Sequence, residues 1–147
     1  MMLGLRQEHR GQMIVSSQSR RFNWLAAGRR WRKTTLLINH ALRNACKRQY
    51  RVIWSAPTYD QVRIAWEEAK RAAGGLASYV VSRMEMHFPG GGRILFRSLD
   101  DPEHLRGHTA HLVFVDEVAD VHPDAWYSVI RPMLIDTRGG AWLCGTP

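Results

Sequence analysis

Short apolar runs alternate along the chain with amphipathic segments of helical period, and the two kinds of segment follow one another in order. β-Branched and aromatic residues dominate the short runs, a composition typical of strands. The predicted strands cover residues 22–27, 51–56, 111–117 and 141–147. Two further runs, 84–88 and 93–98, flank the tetrapeptide "PGGG" and predict a hairpin. Because strands that alternate with helices form β-α-β units, we predict an α/β fold with a mostly parallel central sheet.

The helical segments differ in how much of their surface is apolar. Residues 34–46 are apolar around much of the circumference and predict a buried helix. Residues 58–75 predict an amphipathic helix that begins with a capping box formed by Thr58 and Gln61. Pro123 is expected to open a further helix. The predicted inner face of that helix carries Trp126, Val129, Ile130 and Met133.

The length of 147 residues suits a single domain over residues 1–147 with a real hydrophobic core. No apolar run is long enough to span a bilayer, and the start "MMLGLRQEHRGQ" lacks the pattern of a secretory signal, so we expect a cytoplasmic protein without membrane contact. Cys46 and Cys144 match no metal-ligand spacing and are expected to be buried small apolar residues.

The charge of the chain favours a polyanionic partner. The net charge is +8, and only three of the 21 basic residues, Lys33, Lys47 and Lys70, are lysines. Arginine presents a planar fork of donors that suits phosphate, so nucleic acid or a nucleotide is the expected ligand. A solvated basic surface would have the same composition, and charge alone does not separate the two.

The stretch "AAGRRWRKTTL" (26–36) lies between a predicted strand and a predicted helix, the context of a phosphate-binding loop. Backbone N–H groups and the helix N-terminus can hold a β-phosphate there. Lys33 can reach the β- and γ-phosphates, and Thr34 can offer a hydroxyl to Mg²⁺. The alternative is a basic surface turn before a helix.

A second motif, "LVFVDEVAD", places two acids at the end of a fully apolar strand. The carboxyl ends of such strands are where ligands bind in open α/β sheets. Asp116 is suited to holding Mg²⁺, and Glu117 can accept a proton from a water that attacks the γ-phosphate. Two acids that merely begin a surface loop would not explain the pairing with a Lys-Thr loop.

Taken together, "GRRWRKTT", "SAPTYDQVRIAW", "DDPEHLRGHTAHLVFVDEVAD", "PDAWYSVIRPML" and "AWLCGTP" resemble the ATPase domain of large terminase subunits, the DNA-packaging motors of tailed phages. The resemblance runs from about Gln12 to Pro147. It implies a three-layer P-loop NTPase fold that stops after the coupling-motif strand. It also implies ATP and Mg²⁺ as cofactors, double-stranded DNA as partner, a small terminase subunit and a portal as further partners, and a ring of copies.

The same resemblance implies roles for individual residues. The nucleotide-binding loop corresponds to Gly28, Arg29, Arg30, Trp31, Arg32, Lys33, Thr34 and Thr35. Thr34 and Asp116 correspond to the Mg²⁺ ligands, and Glu117 to the catalytic glutamate. Gly145 and Thr146 correspond to a motif that couples hydrolysis to DNA movement.

Three further positions follow from the resemblance. Arg29 and Arg106 match arginines that could stabilise the γ-phosphate, within the subunit or on a neighbour, although pairing with an acid or with DNA phosphate is the alternative for each. Gln12 matches an upstream glutamine that contacts adenine, with Gln7 and Gln18 as alternatives.

The chain departs from the family pattern at Arg32, which stands where the loop usually has its second glycine. We expect this side chain to crowd a bound phosphate and weaken nucleotide binding. No segment resembles the family's nuclease domain. The function favoured by the sequence is therefore Mg²⁺-dependent ATP hydrolysis that drives DNA packaging, and the alternatives are a helicase-like ATPase and an inactive remnant that only binds DNA or a partner.

Overall fold

The computed structural model describes residues 2–147 as a seven-stranded sheet with helical segments on both faces. The strands are Phe22–Ala26 (β1), Arg51–Ala56 (β2), Ser78–Val80 (β3), Glu85–His87 (β4), Arg93–Ser98 (β5), Leu112–Val115 (β6) and Gly140–Gly145 (β7). The α-helices are Arg10–Ser17 (α1), Lys33–Ala45 (α2), Tyr59–Ala73 (α3) and Arg131–Met133 (α4). Across the sheet the strand order is β1-β7-β6-β2-β5-β4-β3.

The five neighbouring strands β1, β7, β6, β2 and β5 are parallel, and β4 and β3 add an antiparallel edge. The predicted α/β fold with a mostly parallel sheet is therefore confirmed. The hairpin is also confirmed, since Glu85 pairs with Leu95 and His87 with Arg93. Strand β3 was not predicted because a three-residue edge strand is too short to show a period.

Side chains of opposite parity along the central strands build two separate cores. Val52 and Trp54 of β2 belong to the core under α2 and α3, while Ile53 between them belongs to the core on the other face. That second core is closed by Leu105 and by the helical segment that ends in α4. Because β2 and β6 are buried on both faces, apolar residues do not alternate with exposed polar ones along them, and the buried Ser55 of β2 donates to the Phe114 carbonyl over 2.6 Å.

Local sequence explains how the main helices begin. Helix α3 starts with the predicted capping box, in which the Gln61 N–H donates to Thr58 Oγ1 over 3.4 Å and the Thr58 N–H donates to Gln61 Oε1 over 3.1 Å. Helix α1 was not predicted, because its cap is His9, whose Nδ1 accepts from the Gln12 N–H. Histidine is an uncommon N-cap, so the start of α1 resembles a loop in sequence.

The segment after Pro123 is helical, as expected, but residues Ala125–Ile130 wind as a wider π-helix. Val129, Ile130 and Met133 are buried on its inner face, whereas Trp126 is only half-buried. The prediction that both cysteines are buried is wrong for Cys46, which is exposed because it follows the last turn of α2 at the surface. Among residues 2–147, no helix has both the length and the apolar composition needed to cross a membrane.

Candidate functional site

Three parallel strands end side by side and bring distant parts of the chain to one edge of the sheet. Ala26 of β1 pairs with Gly145 of β7, and Val115 of β6 pairs with Leu143. The Ala27 N–H donates to the Gly145 carbonyl over 3.1 Å, which holds the start of the loop against the end of β7. The loop after β1, the two acids after β6 and the end of β7 therefore meet at this edge.

The loop has one residue in a conformation that favours glycine. It leaves β1 after Ala26, makes a 3₁₀ turn over Arg29–Trp31, and reaches Arg32 with φ 61° and ψ 41° before α2 starts at Lys33. A side chain in this left-handed region costs about 1–2 kcal/mol, because its Cβ crowds the backbone. The structure thus gives a conformational reason for the glycine that this position has in the usual phosphate-binding pattern.

Lys33 lies in a chain of contacts with the end of β7. Its side chain is only 5% exposed, and Nζ donates to Thr146 Oγ1 over 2.6 Å. Thr146 Oγ1 in turn donates to Glu117 Oε1 over 3.0 Å, and Glu117 Oε1 lies 3.7 Å from Lys33 Nζ. The threonine hydroxyl therefore links the loop lysine to the acid after β6.

Glu117 has a backbone conformation of its own that is uncommon for a side-chain-bearing residue. Its φ is 50° and its ψ 49°, in the left-handed region. Strain of this kind costs on the order of 1–3 kcal/mol and often occurs at functional sites. The turn places the Glu117 N–H on Asp116 Oδ1 over 3.0 Å and its carboxylate beside Lys33.

Thr34 and Asp116 form the closest oxygen pair of the site. The Thr34 hydroxyl donates to Asp116 Oδ2 over 2.6 Å, and Asp116 is only 6% exposed. Burial raises the pKa of Asp116, the Glu117 charge adds to the rise, and the contacts with Thr34, the Glu117 N–H and Lys33 oppose it. A nearby cation would stabilise the buried carboxylate in its charged form. A hydroxyl beside such a carboxylate matches the oxygen ligands that Mg²⁺ prefers.

A polar cavity of about 500 Å³ lies beside the loop. It is lined by Arg29, Arg32, Lys33, Thr34, Thr35, Gln61, Glu117, Asp120 and Thr146. Gln61 and Asp120 were not among the predicted site residues. The capping box accounts for Gln61 in sequence terms, and only the packing of α3 beside α2 reveals that it also faces the cavity.

Gln12 braces the loop from below. The residue is buried, and its Nε2 donates to the carbonyls of Trp31 and Arg32 over 3.1 and 3.0 Å. Its Oε1 accepts from the His9 N–H over 3.1 Å. Each amide hydrogen of Gln12 therefore has a partner within the chain, and its adenine contact stays a prediction.

Of the remaining predicted site residues, some lie at the cavity and others lie away from it. Thr35 lines the cavity and donates to Glu68 Oε1 over 2.8 Å, and Gly145 ends β7 beside the loop. Arg30 is exposed on the 3₁₀ turn. Arg106 does not line the cavity: its guanidinium forms two bonds of 2.7 and 2.8 Å to the exposed Glu103. Of the two arginines expected to act on a phosphate, only Arg29 lies at the site.

Residues 24–136 match the family described as "Terminase large subunit, T4likevirus-type, N-terminal". A comparison with curated proteins gives no match. The matched range contains the loop, the two acids and the helix after Pro123, and it stops before β7.

Solved structures give the same fold. The ATPase domain of the Thermus phage P74-26 large terminase superposes with a TM-score of 0.79 at 24% identity, over 96% of this chain and 65% of that one. The large terminase of bacteriophage HK97 gives 0.82 at 13% identity, over 96% and 33%. A large terminase of a thermophilic bacteriophage in complex with ADP gives 0.68 at 13% identity, over 95% and 38%. The chain spans less than two thirds of each of these proteins, and its fold is P-loop NTPase-like.

Proposed function

This chain belongs to the large terminase subunit family, and from that membership we propose that it hydrolyses ATP with Mg²⁺ to drive double-stranded DNA into a phage head. The observation that carries the proposal is the convergence of Lys33, Thr34, Glu117 and Thr146 on one cavity, with Asp116 hydrogen-bonded to Thr34 beside it. The complex of ADP with the large terminase of a thermophilic phage supports the choice of nucleotide.

The loop would bind the phosphates of ATP. Its N–H groups and the N-terminus of α2 supply partial positive charge at the cavity wall, and Arg29 and Lys33 supply full charges. Lys33 contacts Thr146 and Glu117, so phosphate binding would exchange those contacts for contacts to phosphate oxygens.

Thr34 and Asp116 would hold Mg²⁺, since Thr34 lines the cavity and its hydroxyl donates to Asp116 Oδ2 over 2.6 Å. When bound, Mg²⁺ neutralises charge on the phosphates and on Asp116. Glu117 would accept the proton of the attacking water, because its carboxylate lines the cavity and is half-exposed there. Thr146, bonded to both Lys33 and Glu117, would sense the loss of the γ-phosphate and pass the change to β7.

The wider role includes partners that the site does not contain. We propose action in the host cytoplasm, in a ring of copies that contacts a small terminase subunit and the portal. Arg106 fits this setting as a group that acts on a neighbouring subunit, because it is exposed and does not line the nucleotide cavity of its own chain. Its bonds to Glu103 would have to open for that contact.

Release of phosphate from ATP, measured with and without Mg²⁺ and with and without double-stranded DNA, tests the proposal. We expect Mg²⁺-dependent turnover that Glu117→Gln abolishes while ATP binding is retained, because the amide keeps the shape and removes the base. Glu67→Gln is the matched control, since Glu67 is an exposed acid on α3 outside the cavity. Full turnover in Glu117→Gln would remove Glu117 from the mechanism.

A second candidate function is an inactive module that binds DNA or a partner. The observation that favours it is the left-handed conformation of Arg32 in the loop. ATP binding without Mg²⁺-dependent turnover by the unaltered chain would support this candidate over the first.

A further inference from the structure

A second cavity of about 430 Å³ lies at the opposite edge of the sheet from the phosphate loop. Its wall includes Arg21, Leu112 and Gly140, which stand at or just before the starts of β1, β6 and β7. The phosphate loop follows the carboxyl end of β1, so the full length of the strands separates the two cavities. None of the predicted site residues lines the second cavity.

Three arginines converge on this cavity from two distant segments of the chain. Arg20 and Arg21 precede β1, and Arg138 precedes β7, and all three are exposed. No aspartate or glutamate lines the cavity. Within residues 2–147, none of the three arginines forms an ion pair. The guanidinium groups therefore concentrate positive charge that the chain itself does not neutralise.

The backbone holds these arginines together at a cost. Arg138 has a φ of 53°, in the left-handed region that disfavours a side chain. Gly139 and Gly140 follow, and a Cβ on Gly139 would stand 2.5 Å from the His111 carbonyl oxygen. The Arg21 Nε donates to the Gly139 carbonyl over 2.9 Å, and the Arg21 carbonyl accepts from the Ala141 N–H over 2.8 Å. The close approach of these backbones fixes Arg21 beside the turn that carries Arg138.

The wall also carries polar side chains without formal charge, among them Tyr50 and His111. Tyr50 and His111 stack with ring centroids 4.7 Å apart, and both are half-buried. Burial, together with the nearby Arg51 charge, lowers the pKa of His111. Because His111 Nδ1 accepts from the Arg51 N–H over 3.0 Å, the proton of the neutral ring is on Nε2, which is left as a donor. Burial raises the pKa of Tyr50, whose phenol keeps its proton.

We propose that this cavity binds a phosphate group through Arg20, Arg21 and Arg138. Guanidinium forks and neutral N–H and O–H donors match phosphate oxygens in geometry and charge. The phosphate can come from the DNA backbone or from a free polyphosphate. The DNA source rests on the proposed packaging function, whereas binding of a free polyphosphate does not. When the phosphate belongs to DNA, the cavity contacts the DNA backbone at the amino ends of the strands. The nucleotide site lies at the opposite, carboxyl ends.

Fluorescence anisotropy with a short labelled duplex, without nucleotide, tests the DNA source. The variant Arg20→Gln/Arg138→Gln should bind at least about tenfold more weakly at low salt, and the slope of log affinity against log salt should fall by about 2. The control Arg10→Gln/Arg63→Gln removes two exposed arginines outside the cavity and should change affinity by less than about threefold. Equal losses in the two double variants overturn the DNA source, because they indicate dispersed surface charge.

Calorimetry with pyrophosphate tests the free source. A pyrophosphate site of the parent that Arg20→Gln/Arg138→Gln removes, while the phosphate loop keeps its own, supports the phosphate site even where the duplex results are equal. Arg138→Gly guards against a folding artefact, because glycine accepts φ 53° without strain while the guanidinium is removed. Unchanged binding of both probes by Arg138→Gly and by the double variant overturns the proposal. Since no assay here requires ATP turnover, an inactive nucleotide site would not alter these results.

Discussion

Replacing Arg32 with glycine tests whether the phosphate loop is strained by its own side chain. Arg32 has φ 61° and ψ 41°, and relief of a left-handed side-chain conformation is worth about 1–2 kcal/mol. Glycine also gains entropy in the unfolded chain, which costs about 0.5–1 kcal/mol of stability. The backbone bond from Gln12 Nε2 to the carbonyl at position 32 does not depend on the side chain and is retained. The net expectation is a gain of about 0.5–1 kcal/mol in the free energy of unfolding.

Thermal unfolding followed by circular dichroism measures this gain, which corresponds to a rise of about 2 °C in Tm for a chain of this length. Arg30→Gly is the matched control, because Arg30 is an exposed arginine of the same loop at an ordinary negative φ. It should lose about 0.5–1 kcal/mol, since glycine there adds entropy cost without relieving strain. A fall in Tm for Arg32→Gly as large as that for Arg30→Gly would refute the strain argument.

The same substitution tests the nucleotide site. The Arg32 side chain lines the cavity, and its removal leaves the amide at that position open to a phosphate. We expect ATP affinity in Mg²⁺, measured by calorimetry, to rise about tenfold, or roughly 1.4 kcal/mol. Arg32→Ala removes the guanidinium but keeps the Cβ, so it should show a smaller rise. Weaker ATP binding by Arg32→Gly than by the parent would mean that the guanidinium is itself a phosphate ligand.

Three further outcomes follow from the contacts of the site and the core. Gln12→Ala should lower the free energy of unfolding by about 1–3 kcal/mol in a denaturant titration, because two loop carbonyls lose their buried donor, and an unchanged midpoint would contradict this bracing role. Thr146→Val should reduce kcat about tenfold or more with little change in ATP affinity, because Lys33 loses the hydroxyl that links it to β7, whereas Thr146→Ser should retain turnover. Iodoacetamide should modify the exposed Cys46 in the native protein and leave Cys144 intact until unfolding, since burial beside the negative charge of Asp116 raises the pKa of Cys144 to about 12. Mass spectrometry of a digest of the protein labelled in its native state measures this, and labelled Cys144 with unlabelled Cys46 would contradict it.

Several elements of the fold could be read from local sequence because local physics determines them. The run "RVIWSA" at 51–56 became β2 with the predicted bounds, since its β-branched and aromatic residues suit a strand that is buried on both faces. Thr58 and Gln61 start α3 through hydrogen bonds between residues three positions apart, so both partners can be recognised in a short stretch of sequence. The pair Asp116 and Glu117 was placed at the sheet edge because the apolar strand before it ends there.

The tertiary structure alone decided how distant segments meet. The bond from Lys33 to Thr146 joins residues 113 positions apart, and it exists because β1 and β7 are neighbours in the sheet. Strand order depends on how the helices cover the two faces, and the hydrophobic pattern of a strand does not indicate which strands are its neighbours. The left-handed conformation of Arg32 likewise follows from its place between the 3₁₀ turn and the start of α2 rather than from the preference of arginine. The sequence by itself therefore determined which residues are chemically able to serve a phosphate site, and the packing of parallel strands decided which of them lie within bonding distance.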